Sequence, residues 1–101
     1  MSPSDTVGQV VVTNNTERAR YEVSFAGSPA GFADYILTNG MITFTHTEID
    51  PAFERKGLGS ALVRAALDDV RSVGGRKVLP VCPFFKAWIL RHRDYQDLLY
   101  R

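Results

Sequence analysis

Residues 54–60 read Glu-Arg-Lys-Gly-Leu-Gly-Ser, and no other stretch of the chain is better equipped for chemistry. Gly57 and Gly59 let a ligand come close to the backbone, because no Cβ stands in the way. An amphipathic run begins at Leu58, so a helix starting there turns its free N–H groups and its positive dipole end into the loop. Arg55 and Lys56 add full positive charges. Such a turn suits a phosphate or pyrophosphate, held on N–H groups from Arg55 through Leu58 to Ser60. A tight loop-to-helix turn would ask for small residues by itself, but the flanking charges favour the anion.

Three further residues could react. Cys82, the single cysteine, stands directly before Pro83. Proline is favoured at the first helical position, so Cys82 falls at a helix N-cap, where the dipole favours a thiolate nucleophile. The bland alternative is a small buried hydrophobe. His46 and Glu48 stand two apart in an alternating run, hence on one face of a strand, and either could serve as a general base. Their ordinary alternatives are a half-buried histidine beside Ile42 and Phe44 and a solvated strand-end carboxylate.

These residues need elements to hold them. Val10–Thr13 is a β-branched run ended by Asn14-Asn15, and Arg20–Phe25 alternates with Tyr21, Val23 and Phe25 on one face. Residues 26–29 read as a turn, Phe32–Thr38 as a third strand, and Asn39-Gly40 as a hairpin. Met41–Ile49 is a fourth strand, with Ile42, Phe44 and His46 on one face and Thr43, Thr45 and Thr47 on the other. The period then becomes helical: Leu58, Leu62, Ala66, Val70 and Val73 form a stripe, with Ala65 beside it. Arg64 and Asp68 are spaced as an i,i+4 pair, and Gly74-Gly75 stops the helix. Lys77–Val81 is a fifth strand, Pro83 to about Arg91 a short helix with Trp88, Phe84, Phe85 and Ile89 as core, and Asp94 caps a last turn to Tyr100. The order is ββββ-α-β-α, an α/β or α+β layer with a mostly antiparallel sheet. The strand–helix–strand crossover requires strands four and five to pair in parallel locally, or to splay.

Bulk properties set limits. A chain of 101 residues, 45% hydrophobic and 23% charged, is sized for one globular domain spanning 1–101, with 1–7 a loose tail. A formal net charge of +1 gives no global pull toward nucleic acid or membrane. The N-terminus lacks the pattern of a signal peptide, and no run approaches the ~18 apolar residues of a membrane span. One cysteine excludes an internal disulfide and suits a reducing cytoplasm. Nothing firm bears on oligomeric state; a monomer or weak homodimer is expected.

The strand, the Glu-Arg-Lys-Gly-Leu-Gly-Ser-Ala-Leu segment and the helix together resemble the acyl-CoA-binding motif of the GNAT superfamily of N-acetyltransferases. The run from His46-Thr47-Glu48-Ile49 through Leu79-Pro80-Val81-Cys82-Pro83-Phe84 to His92-Arg93-Asp94-Tyr95 resembles its small single-domain members, which carry a cysteine after the last strand. Two departures stand out. Glu54 occupies a position where larger members prefer Arg or Gln, and the chain lacks the N-terminal helices that shape their acceptor pocket. The resemblance implies acetyl-CoA or CoA as cosubstrate, with no metal. It also implies that the backbone at Thr47 and Ile49 pairs with the pantetheine arm.

On that resemblance the expected activity is acetyl transfer to an amine, a protein lysine or a small molecule. A lysine-like amine is mostly protonated at neutral pH, so Glu48 or His46 would take its proton. Cys82 could instead attack the thioester and hold the acetyl group, with His46 activating it. Tyr95 could protonate the departing thiolate, and His92 reads as a helix C-terminal cation. The competing expectation is a CoA-binding module without efficient transfer, completed by a protein partner. A nucleic-acid binder using Arg55-Lys56 is disfavoured by the near-neutral charge.

Overall fold

The Asn39-Gly40 turn, with Gly40 at φ 75°, closes a hairpin between the two longest strands of the protein. A computed structural model describes residues 9–100, so the expected tail lies outside the described residues. In chain order the elements are β1 (Val10–Asn15), β2 (Arg20–Phe25), β3 (Ser28–Thr38), β4 (Met41–Ile49), a 3-10 turn (Pro51–Phe53), α1 (Leu58–Val73), β5 (Lys77–Pro80), α2 (Pro83–Leu90) and a 3-10 segment (Arg93–Leu98). The sheet order is β1-β2-β3-β4-β5. The first four strands are antiparallel to their neighbours, and β5 runs parallel to β4. This is the expected α+β layer and crossover. β3 begins earlier than its sequence suggests, because Ala26 (φ 51°) and Gly27 (φ 84°) make a two-residue turn that leaves Ser28 paired with Phe25.

Both helices cover one face of the sheet. α1 buries Leu58, Leu62, Val63, Ala66, Leu67 and Val70, a wider stripe than the expected one. Val73 is exposed, because Gly74 ends the helix by donating its N–H to the Val70 carbonyl oxygen. In α2, Phe85, Trp88 and Ile89 are buried, while Phe84 stays 41% exposed. Phe85 stacks on Phe44 with ring centroids 4.0 Å apart, and Tyr21 Oη donates to Asp69 Oδ2 across the layer at 2.6 Å. The last segment differs from expectation: Asp94 lies inside the first turn of a 3-10 segment whose N-cap is His92. The Arg64–Asp68 pair also differs, since Tyr95 Oη stands between them, donating to Asp68 and accepting from Arg64.

A β-bulge overturns one expectation with direct bearing on the site. Tyr35 pairs with Phe44, but Asp34 pairs with His46, so Thr45 is an extra residue on β4. An extra residue reverses the alternation beyond it. Thr47 and Ile49 therefore join Phe44 on the helix-covered face: Thr47 pairs with the buried Ala33. His46 and Glu48 turn to the opposite face, with His46 beside Phe32 and not beside Ile42 and Phe44. The two still share a face, as their spacing requires.

Candidate active site

Strands β4 and β5 fork. Their ladder runs from Met41–Lys77 to Phe44–Pro80, and the Cys82 N–H adds one more bond to the Phe44 carbonyl oxygen at 2.8 Å. Pro80 has no N–H to donate, and Pro83 starts α2, so the chain leaves β4 there. β4 continues to Ile49, paired only with β3. The Asp50 N–H donates to Ala30 O, toward β3. Peptide groups alternate along a strand, so the N–H and C=O of Ile49 and Thr47 point to the side that β5 has vacated. Such groups require partners; an extended, amide-bearing ligand lying in the fork would supply them.

The open edge of β4 leads directly into the glycine loop. Asp50 Oδ1 accepts the Ala52 N–H at 2.9 Å and fixes the 3-10 turn. Arg55 (φ 71°) and Gly57 (φ 72°) then take left-handed conformations, which turn the chain into α1. Gly57 is the N-cap, and neither a side-chain cap nor a first-turn acid is present. The first intrahelical bond is Ala61 N–H to Gly57 O at 3.1 Å. The N–H groups of Leu58, Gly59 and Ser60 therefore lack intrahelical partners, as a cradle for an anion requires.

The two glycines are needed for different reasons. Gly57 needs its positive φ; a Cβ there would meet nothing within 4 Å. A Cβ on Gly59 would lie 2.8 Å from Cζ of Phe84, so that glycine is small to admit a ring of α2 and not only a ligand. Ser60 Oγ accepts the Trp88 Nε1–H at 2.9 Å, which leaves its own proton to donate. Lys56 Nζ lies 5.1 Å from the Phe25 ring centroid, drawn toward the β2–β3 hairpin. Arg55 makes no ion pair among the described residues and remains the cation for the loop.

Cys82 is the N-cap of α2 as expected, and it is buried at 4% exposure, where the fork opens. Its Sγ lies 3.3 Å from Thr47 Oγ1. The sequence reading gave Thr47 only a backbone role; the bulge brings its hydroxyl to the thiol, and no local pattern signalled that. His46 lies on the other face of the sheet and cannot activate Cys82. It meets Glu48 instead, Nε2 to Oε2 at 2.7 Å, with the two side chains 55% and 61% exposed. The base candidates and the nucleophile candidate thus flank the fork from opposite sides.

Two residues of the C-terminal segment are tied into structure. Tyr95 is 6% exposed, and its hydrogen bond to Asp68 is the leading reason its phenol titrates above the usual range. It holds α1 to the last segment and does not reach the fork. The His92 ring stacks on Trp88 at 3.6 Å, and its Nδ1 lies 2.6 Å from Trp88 O. Among the described residues no group of His, Cys, Asp and Glu could hold a metal ion, and no helix is long and apolar enough to cross a membrane.

A family model described as GCN5-related N-acetyl-transferase matches residues 20–98. The chain belongs to this family. The match covers all but β1, and thus takes in fork, loop, bulge and both helices. Two solved structures share the GNAT fold. One is an NMR structure of a GCN5-like protein from Staphylococcus aureus described as a candidate N-acetyltransferase. It has a TM-score of 0.68 and 19% identity, over 91% of this chain and 89% of that one. The other is the crystal structure of the ribosomal-protein-S18-alanine N-acetyltransferase of Escherichia coli. Its TM-score is 0.62 at 19% identity, over 95% of this chain and 73% of that one. At such identity the likeness speaks for the fold alone. No curated protein matches the chain.

Proposed function

We propose that this GNAT domain transfers the acetyl group of acetyl-CoA to a primary amine. One observation carries the reading: the unpaired edge of β4, at Thr47 and Ile49, runs straight into the uncapped N-terminus of α1. The strand edge leads into the helix end along the chain, as the amide arm adjoins the pyrophosphate in CoA. The N–H groups of Leu58, Gly59 and Ser60 hold the pyrophosphate, and Arg55 adds charge, with Lys56 at the rim. Thr47 and Ile49 pair with the pantetheine amides.

The amine approaches from the uncovered sheet face. There Glu48, joined to His46, accepts the ammonium proton. The freed nitrogen bonds to the thioester carbon, the C–S bond breaks, and the departing thiolate takes the second proton that the nitrogen sheds on becoming an amide. Orientation and desolvation in the fork supply most of the advantage. A second route is favoured by the contact between Cys82 and Thr47 in the fork: Cys82 takes the acetyl group first and passes it to the amine. The bare sheet face supports a third reading, a CoA-binding module completed by a partner protein.

Calorimetric titration with acetyl-CoA, followed by intact mass measurement with an added amine, separates these readings. Saturable binding and an acetylated amine in both wild type and Cys82→Ala mean direct transfer. An acetyl adduct on the protein that Cys82→Ala abolishes, and that chases onto the amine, means the cysteine route. Binding without transfer leaves the module. Absence of binding would overturn the proposal.

A further inference from the structure

We infer that the pocket on the uncovered sheet face binds a small amine that also carries a carboxylate, an amino acid or a compound of that shape. This rests on the transfer reading only for its direction, which puts the reacting amine at Glu48. The pocket measures about 580 Å³ and is lined by Arg18, Arg20, Glu22, Phe32, Glu48 and Asp50 among others. That volume suits a small molecule and not a folded partner.

The charges in the pocket divide into a pair that satisfies itself and two groups with bonding capacity left. Arg20 Nε donates to Glu22 Oε2 at 2.9 Å, and Asn15 Nδ2 donates to the same oxygen at 3.2 Å. The Arg20 guanidinium also lies over the Phe32 ring, 4.4 Å from its centroid. Arg20 and Glu22 therefore neutralise each other and form a wall with an aromatic base. Asp50 has one oxygen committed to the Ala52 N–H.

What remains is Arg18, in the turn between β1 and β2, and the second carboxylate oxygen of Glu48 on β4, whose Oε2 is held by His46 Nε2 at 2.7 Å. Arg18 makes no ion pair among the described residues. Glu48 stands level with Phe32 and Glu22, Arg18 lies beyond the start of β2, and both side chains line the one pocket. An unpaired cation and a carboxylate at opposite ends of one small pocket match a zwitterion: ammonium to Glu48, carboxylate to the guanidinium in a bidentate pair. A polyamine would place a cation against Arg18, and a simple alkylamine would leave Arg18 unused.

The test is NMR titration of the 15N-labelled protein with three probes of one chain length: L-lysine, L-lysine methyl ester, and cadaverine, which is lysine without its carboxylate. L-lysine should give saturable shifts around Arg18 and Glu48. The ester and cadaverine should bind about tenfold more weakly or worse, as should L-lysine with Arg18→Gln, since each loses a charge-assisted pair. Arg18 is exposed in a turn, so the variant keeps its fold. Cadaverine or the ester binding as well as L-lysine, an unchanged affinity in Arg18→Gln, or no saturable shift with L-lysine would each overturn the inference. Acetyl-CoA calorimetry on the same samples reports separately on the transfer reading: its failure would leave the zwitterion shifts in place.

Discussion

At the scale of single residues, the glycine loop separates two demands that a motif merges. Gly57 sits at φ 72° in open space, so Gly57→Ala meets no clash but strains its backbone. The left-handed conformation costs an L-residue roughly 1–2 kcal/mol, and the unfolding midpoint in urea should fall by the corresponding amount. Gly59→Ala meets only the far end of the half-exposed Phe84 ring, which can swing aside. Its stability should stay within about 0.5 kcal/mol of wild type, because the added helix propensity offsets the shift. If both variants lose stability equally, the separation of roles fails. The sequence located the loop, the helix start and the Cys82 N-cap from residue types, since glycine and proline impose their geometry locally. It missed the Phe84–Gly59 contact and the Thr47–Cys82 contact, because each joins residues distant in the chain.

At the scale of elements, the β4 bulge decides what the site can do. The hairpin, the crossover and the limits of β2 and β4 were legible from alternation and turn residues, while the start of β3 was not. The extra residue at Thr45 was not, because nothing in Thr43-Phe44-Thr45-His46 marks an unpaired position; only register against β3 does. Its consequence is large: without it His46 would point into the core and Thr47 away from Cys82. Gly31 protects this arrangement. A Cβ there would collide with the Glu48 carbonyl oxygen and lie 3.1 Å from Ile49 Cα, both backbone atoms that cannot swing away. Gly31→Ala should cost about 1–3 kcal/mol as an overpacked site, visible as a lowered thermal midpoint, and should displace the end of β4. A neutral result would mean that this ladder is looser than its geometry.

The link between sheet and α1 has its own signature. Burial, and next the hydrogen bond to Asp69, push the Tyr21 phenol far above the usual tyrosine range. A raised folded value means that its stabilisation is complete below the unfolded value near ~10 and is lost as pH rises above it. Tyr21→Phe should cost about 1 kcal/mol at neutral pH and make the alkaline decline of stability shallower. An alkaline limb as steep as in wild type would show that another group causes it.

At the scale of the whole molecule, the protein is a one-sided layer: both helices lie on one face of the sheet, and the other carries charged and polar residues, Phe32, the exposed Val11 and Ile36, and a pocket. A small domain has little apolar burial to spare, so the bare face must be held by its own side-chain pairs. Arg20–Glu22 is one such pair. The hydrogen bond from Arg20, helped by that from Asn15, holds the Glu22 carboxyl below the usual range. A lowered folded value means that the stabilisation is present above the unfolded value near ~4.3 and is lost as pH falls through the folded one. Away from that face, Arg71–Asp97 ties α1 to the C-terminal segment, and its hydrogen bond lowers the Asp97 carboxyl in the same way. The two differ in solvent access: Glu22 is 33% exposed and Asp97 is 63% exposed. Screening weakens exposed pairs, so the acid limb should belong chiefly to Glu22. Urea midpoints measured between neutral pH and pH ~3 should fall less in Glu22→Gln than in wild type, while Asp97→Asn should follow wild type closely. The reverse order would place the acid-sensitive link at the C-terminal segment and leave the bare face without electrostatic support from this pair.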